Sequence, residues 1–268
     1  MALDPERTPH SSPTRLALVL GPAFALVLVS FALPEIPLDT PFADFWVRVS
    51  DTAYWSFMPV VCVVVVLLVV SRPGIDGRRR AVEAVVATVA LLVVVAGNAQ
   101  VNEHVIKPAL AVPRPNIVTL AETGALGPQI TGAADFYALG DKDARRQFLA
   151  PQLQQLDEPA LSPLVEDHWA HETGFALPSG HSTAAMTFAA LMAMLGFAWL
   201  TDWRARVTAV VVPVWAVLVA HSRVLLGVHT PTDVVVGSLV GIGLGTVAAI
   251  VVLRFVGLPT ADRGADAP

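Results

Sequence analysis

Residues 222–255 read SRVLLGVHTPTDVVVGSLVGIGLGTVAAIVVLRF, and polarity is packed into the opening, where Ser222-Arg223 is followed by His229 and Asp233. From Val234 to Phe255 the only charged residue is Arg254. A membrane-spanning helix needs about 20 apolar residues, so this run predicts one. Pro231 suits the first turn of a helix, which places the helix start near Thr230. The four-residue spacing then puts the Asp233 carboxylate one turn from the His229 imidazole. A carboxylate held on one ring nitrogen fixes the tautomer and frees the other nitrogen as a nucleophile. Taken alone, the pair also reads as an interfacial helix cap.

Outward from that stretch the whole chain has the same character. It has 268 residues, 54% hydrophobic and 15% charged, with a mean hydropathy of +0.63. Soluble globular chains carry about 25% charge, so this composition indicates a polytopic membrane protein. Six stretches are apolar enough to span: Leu16–Leu33, Trp55–Val70, Ala81–Val101, Thr183–Leu200, Val207–Ala220 and Val234–Phe255. The fifth is short and borrows Arg206 and His221 as interfacial ends. Valine runs such as Val63–Val66 read as helix here, because a lone strand in lipid leaves its backbone groups unsatisfied. The fold class expected is all-α, a six-transmembrane-helix bundle. Ser30-Phe31-Ala32 faintly resembles a signal-peptidase site, but the apolar run before it is long for a signal peptide, which favours a retained first helix.

Arginines orient the bundle. Arg72, Arg78, Arg79 and Arg80 fill one connection and Arg204 and Arg206 another, with Arg7 and Arg15 before the first helix and Arg254 and Arg263 at the end. The first connection is acidic, holding Glu35, Asp39, Asp44 and Asp51. The positive-inside rule then makes both termini cytoplasmic in a multi-pass protein of the cytoplasmic membrane. The expected division is a disordered tail over 1–14, helices 1–3 over 15–107, an extracytoplasmic cap over 108–178, helices 4–6 over 179–258 and a disordered tail over 259–268. Within the cap, a short helix is expected around Asp141–Leu156. The arginines are scattered and not interleaved with aromatics, so nothing points to nucleic acid. Cys62, the one cysteine, sits among valines as an inert thiol.

Two further polar signatures fall on the same expected face. Pro178-Ser179-Gly180-His181 directly precedes the fourth helix. Helix N-termini offer unpaired amides and a positive dipole end, which favour phosphate. Ser179 caps the helix and can donate to a phosphate oxygen, Gly180 allows close backbone approach, and His181 stands as a general acid. Lys107, followed seven residues later by Arg114-Pro115, adds cations, and Arg223 supplies a third. Phosphoryl transfer is chiefly positioning and charge stabilisation, and the guanidinium fork suits phosphate oxygens. Each signature alone has an ordinary reading as a helix start or an interfacial snorkelling cation. Glu103, one turn before Lys107, either orients it or forms a plain surface ion pair with it.

Together, in this order and spacing, the signatures resemble those of the type 2 phosphatidic acid phosphatase superfamily. The resemblance implies His229 as nucleophile, Asp233 as its orienting partner and His181 as acid. It also implies phosphate binding by Lys107, Arg114, Ser179, Gly180 and Arg223, with no metal and no cofactor. Many relatives continue Arg-Pro with a second Arg-Pro, whereas Asn116-Ile117 follows here, so one cation is missing. The activity implied is an integral membrane lipid phosphatase, metal-independent and working through a phosphohistidine on the outer face. Its partner is a phosphorylated membrane lipid: a polyprenyl diphosphate such as undecaprenyl diphosphate, phosphatidylglycerol phosphate, phosphatidic acid or diacylglycerol pyrophosphate. The alternatives are a lipid-linked phosphotransferase that passes the phosphoryl group to an alcohol or sugar, and a non-enzymatic anion-binding transporter or scaffold.

Other features carry less. His168 and His171, flanked by Asp167 and Glu172, lack a clear third metal ligand and read as a cap rim or proton shuttle. Asn98, Gln100 and Asn102 either line the site wall or bond between helices. Gly237, Gly241 and Gly245 recur at a period that lets helices approach closely, inside the bundle or, as the sharper alternative, in a dimer. The tryptophans lie mostly near run ends, as in an interfacial belt.

Overall fold

The computed structural model describes residues 13–54, 60, 63–64, 67, 74–156, 159–200 and 202–256. Among these there are ten α-helices and no strand. In chain order they are α1 (Pro13–Leu28), α2 (Pro41–Asp51), α3 (Gly77–Leu110), α4 (Pro115–Glu122) and α5 (Ala133–Ala138). Then come α6 (Lys142–Leu153), α7 (Pro163–His171), α8 (Gly180–Trp199), α9 (Trp203–Leu225) and α10 (Pro231–Val256). Side-chain caps set many of the starts. Thr40, Asp76, Asp141, Ser162, Ser179 and Asp202 each accept a hydrogen bond from a backbone N–H of the first turn.

Four of the helices, α3, α8, α9 and α10, are long and apolar enough to cross a membrane. Valines and leucines such as Val85, Val93, Leu239 and Val247 stay exposed on them, which in a helix bundle of this composition is the lipid-facing surface of a membrane protein. α1 is apolar but shorter, and continues in a 3-10 turn over Val29–Ala32. The second expected span, Trp55–Val70, and Cys62 fall essentially outside the described residues, as do the chain ends 1–12 and 257–268.

α8 is the central helix, with almost every side chain from Ser182 to Gly196 buried. It packs on α10 through the glycine period. A Cβ built on Gly237 would lie 2.6 Å from the Ser179 carbonyl oxygen, on Gly241 2.5 Å from that of Thr183, and on Gly245 2.2 Å from that of Thr187. These glycines are contacts within the chain, whereas Gly243 has nothing within 4 Å. Removing the side chain lets the two backbones meet, and the register of α8 on α10 is fixed as a result.

A second core is built chiefly by the segment that follows α3 and precedes α8 in the chain. Ala43 and Val47 of α2 pack with Ile117, Leu120, Phe136, Leu149, Leu153, Val165 and Trp169, together with Leu226 and Val228 after α9. The segment expected as a cap is therefore a folded four-helix lobe, α4 to α7, seated on the loop that carries His229.

Several boundaries differ from the sequence reading. α3 runs through Pro108 to Leu110, past the expected end at 107, because Asn102–Ile106 form a π turn that relieves the proline. The acidic first connection contains α2, whose apolar stripe is too short to stand out. α9 is longer than expected, so Arg206 and His221 lie within it, and His221 Nε2 bonds to the Leu26 carbonyl of α1 at 2.9 Å. The helix expected around Asp141–Leu156 is α6. Among the tryptophans, Trp203 is exposed, but Trp169 and Trp199 are buried and belong to the cores rather than to a belt.

Candidate active site

The chain leaves α9 through Gly227, whose φ of +67° is the left-handed region that favours glycine. Its N–H bonds to the Val224 carbonyl at 2.9 Å, and the N–H groups of Val228 and His229 reach the Arg223 carbonyl at 3.2 and 3.1 Å. This reversal sets His229 against the end of α9 and opens α10. There the Thr230 N–H donates to Asp233 Oδ2 at 2.7 Å, and the Asp233 N–H donates to Thr230 Oγ1 at 3.2 Å, a reciprocal cap. The same Asp233 oxygen lies 3.4 Å from His229 Nδ1. His229 and Asp233 are both about 2% exposed.

On the other side of the ring, Arg114 Nη1 donates to His229 Nε2 at 3.2 Å. A guanidinium can only donate, so Nε2 holds the lone pair and the ring proton sits on Nδ1, toward Asp233. Arg114 is locked in place. Nε donates to the Gly174 carbonyl at 2.8 Å, Nη1 also to the Val228 carbonyl at 3.1 Å, and Nη2 pairs with Glu172 Oε2 at 2.7 Å. Ala111, at φ 47°, ends α3 and turns the chain back so that Arg114 follows Lys107 into one site.

Arg223 is fully buried. It pairs with Glu172 Oε1 and donates to Ser50 Oγ and, at 3.0 Å, to His168 Nε2. Glu172 thus bridges Arg114 and Arg223, one oxygen to each. Lys107 bonds to Glu103 at 3.2 Å, as the four-residue spacing predicts, and Glu103 also pairs with Lys142 of α6.

At the start of α8, Ser179 Oγ accepts from Ser182 N–H and lies 3.1 Å from Ser182 Oγ. The Ser179 N–H donates to the Asp233 carbonyl at 3.1 Å, tying the first turns of α8 and α10 together. A Cβ on Gly180 would meet only Asn102 Nδ2, at 4.0 Å, so the space beside its α-carbon is open. The His181 ring lies 6.0 Å from that of Tyr54, and its buried Nε2 has no hydrogen-bond partner.

These groups surround a cavity of about 1260 Å³. Lys107, Arg114, Gly180, His181 and His229 line it, while Arg223, Ser179 and Asp233 stand behind the wall. Asn98, Gln100 and Asn102 line another side, Asn102 Nδ2 also donating to the Pro178 carbonyl ahead of α8 at 3.5 Å so that it serves both readings, and Leu92, Val95 and Ala99 extend it as an apolar run along α3. Charged and polar side chains thus line much of the cavity, with apolar α3 side chains beside them. Sequence reasoning missed Glu172 as the bridge, His168 as its neighbour on Arg223, and Ser50. Glu172 and His168 had a faint signal in the acid-and-histidine cluster; Ser50 had none.

Charge states follow from this packing. Burial, then Arg114, Arg223 and Lys107, hold His229 well below its ordinary 6.5, so the imidazole is neutral. Burial, then Arg223, hold His168 at about 3. For Glu172, burial acts to raise the carboxyl, but Arg114 and Arg223 outweigh it and keep it well below the usual range and ionised.

The arrangement is a neutral histidine backed by a carboxylate, flanked by two arginines, a lysine and the start of α8. The family model of the PAP2 superfamily matches residues 84–256, which contain every one of these groups except Ser50 and Tyr54. The chain belongs to the PAP2 superfamily. As a PAP2 protein it is a phosphatase, a hydrolase. Phosphatidylglycerophosphatase B of Escherichia coli strain K12 is 32% identical over 215 residues, 80% of this chain and 77% of that protein. Its counterpart in Shigella flexneri matches to the same extent. Phosphatidylglycerophosphatase B of Haemophilus influenzae is 35% identical over 130 residues, 47% of this PAP2 chain and 50% of that one.

Proposed function

We propose that this protein is a membrane lipid phosphatase that cleaves a phosphate monoester or diphosphate lipid through a phosphohistidine. His229 Nε2 attacks phosphorus while its Nδ1 proton stays on the Asp233 side. A protonated His181 gives its proton to the departing oxygen; water then attacks phosphorus, passes a proton back to His181 and breaks the P–N bond, which frees phosphate and restores neutral His229. Lys107, Arg114, the Ser179-Gly180 turn and Arg223 hold the phosphoryl oxygens, where positioned charge lowers the barrier most. Since Glu172 occupies both arginines, a phosphate dianion binds by displacing its carboxylate. No step in this scheme is routed through a metal.

The observation that carries this reading is the placement of His229 between Arg114 on Nε2 and Asp233 behind Nδ1. The apolar wall along α3 supports a substrate whose chain stays in the bilayer while its headgroup enters the cavity. We read the chain as six spans with the α4–α7 lobe outside and both ends inside. In support, Arg78–Arg80 and Arg204–Arg206 begin α3 and α9, the helices whose far ends carry Lys107 and Arg223. The names of the relatives favour phosphatidylglycerol phosphate among the substrates, with polyprenyl diphosphate next. The test is phosphate release from a panel of lipid phosphates in nanodiscs, with rapid alkaline quench to trap an acid-labile phosphohistidine. His229→Ala is expected to lose both signals while inserting normally. Full turnover by that variant would sink the mechanism.

A further inference from the structure

Two cations of the cavity are not used by the scheme above: Lys142 and Arg146, both on α6 of the lobe and both lining the same cavity as His229. Lys142 is seated beside the phosphate-binding groups. Its stem lies over Gly174, where a Cβ would come 2.8 Å from Lys142 Cε, and the carbonyl of that same Gly174 accepts from Arg114 Nε. Its ammonium shares the Glu103 carboxylate with Lys107, one oxygen to each. The two ammoniums are therefore separated by the width of one carboxylate. Arg146, one helical turn further along α6, pairs with Asp143 at 3.6 Å through Nη1, while its buried Nε has no hydrogen-bond partner.

Glu103 neutralises one of the two lysines, and Asp143 meets Arg146 on one side only. Lys142 and Arg146 therefore bring positive charge to the cavity wall, and Lys142, joined to Lys107 through Glu103, stands next to the first phosphoryl position. We infer that Lys142 and Arg146 form a second anion subsite, one that takes a further phosphoryl group of the substrate lying beside the one His229 attacks. The inference rests on the phosphatase reading and deepens it: the preferred substrates carry two phosphoryl groups, either as a diphosphate or as a phosphodiester set close to the terminal monoester. Lys142 bonds the oxygens of the second group by exchanging its hold on Glu103, and the Arg146 fork reaches them from the lobe side.

Binding tests this separately from turnover. Calorimetry on the full chain in nanodiscs would compare a short-chain alkyl methylenediphosphonate with the matching alkyl phosphonate, neither of which is hydrolysed. A glycerol-linked phosphodiester phosphonate forms the third arm and separates the two sources of the second phosphoryl group. Wild type is expected to favour at least one two-phosphoryl ligand, and the Lys142→Gln/Arg146→Gln double variant to lose at least tenfold of that preference. Arg204→Gln, which removes a cation at the opposite end of α9 from Arg223, leaves the preference unchanged. A preference unaltered in the double variant, or none in wild type, overturns the subsite. A wild-type preference without phosphate release from any lipid overturns the phosphatase reading instead and leaves the subsite standing.

Discussion

Gly237→Ala is the most exacting test of how the site is held. The added Cβ would stand 2.6 Å from the Ser179 carbonyl oxygen, 3.2 Å from Thr183 Oγ1 and 3.3 Å from Ser179 N. An ordinary carbon–oxygen contact is about 3.4 Å or more, so the first turns of α8 and α10 must part by roughly 0.8 Å. A side chain forced into such a contact typically costs about 1–3 kcal/mol. The displacement falls on the site itself: Ser179-Gly180-His181 ride on the start of α8, Asp233 rides on α10 with His229 on the loop just before it, and one Ser179 N–H bond to Asp233 joins them. A misplacement of about 1 Å between reacting groups costs on the order of 100-fold in rate. Gly237→Ala should therefore lower kcat for phosphate release by about that factor with a modest fall in melting temperature. Gly245→Ala, two turns deeper and with a tighter clash at 2.2 Å, should reverse the balance and lower stability more than rate. Gly243→Ala meets nothing within 4 Å and should gain up to about 1 kcal/mol from helix propensity, with unchanged turnover. Turnover within twofold of wild type in Gly237→Ala would show that the glycine ladder does not set the site.

Two other perturbations read the charges. Glu172→Gln keeps the shape of the bridge but removes the anion that holds Arg114 and Arg223, so inorganic phosphate should bind about tenfold tighter, roughly the strength of one charge-assisted hydrogen bond; unchanged or weaker binding by calorimetry would mean that the carboxylate only props the arginines. His168 titrates near 6.5 when unfolded and at about 3 in the fold, so below pH 6.5 the opened lobe takes up a proton that the closed lobe refuses, and stability falls as pH falls. One such group costs about 1.4 kcal/mol by pH 5.5; hydrogen exchange of the α4–α7 lobe should follow that slope, and His168→Gln should flatten it.

How much was legible in the sequence depends on the range of the contact. His229, Asp233 and the Gly227 turn lie within seven residues of one another, and helix periodicity alone places the carboxylate beside the ring. Lys107 and Glu103 are likewise one turn apart. Which signatures meet is a matter of topology, and the sequence offered that only through the sided distribution of arginines and through the family pattern. Ser50 reaches Arg223 across 173 residues, and no local period announces such a contact. Glu172 was hidden for another reason. It lies in the lobe, whose helices are short, and its role depends on two arginines 58 and 51 residues away on different elements. Residues of this kind, a carboxylate holding the place of an anion and a lysine laid over a glycine, have no spacing to detect, because they belong to the three-dimensional shape of the cavity. The same logic bears on substrate choice. The groups proposed to attack phosphorus are fixed by motifs and would therefore be shared by any chain that carries them. On the proposed reading, discrimination among lipids falls to the α3 wall and the α6 cations, where Lys142 and Arg146 follow no motif and are specified only by how this lobe folds onto α3.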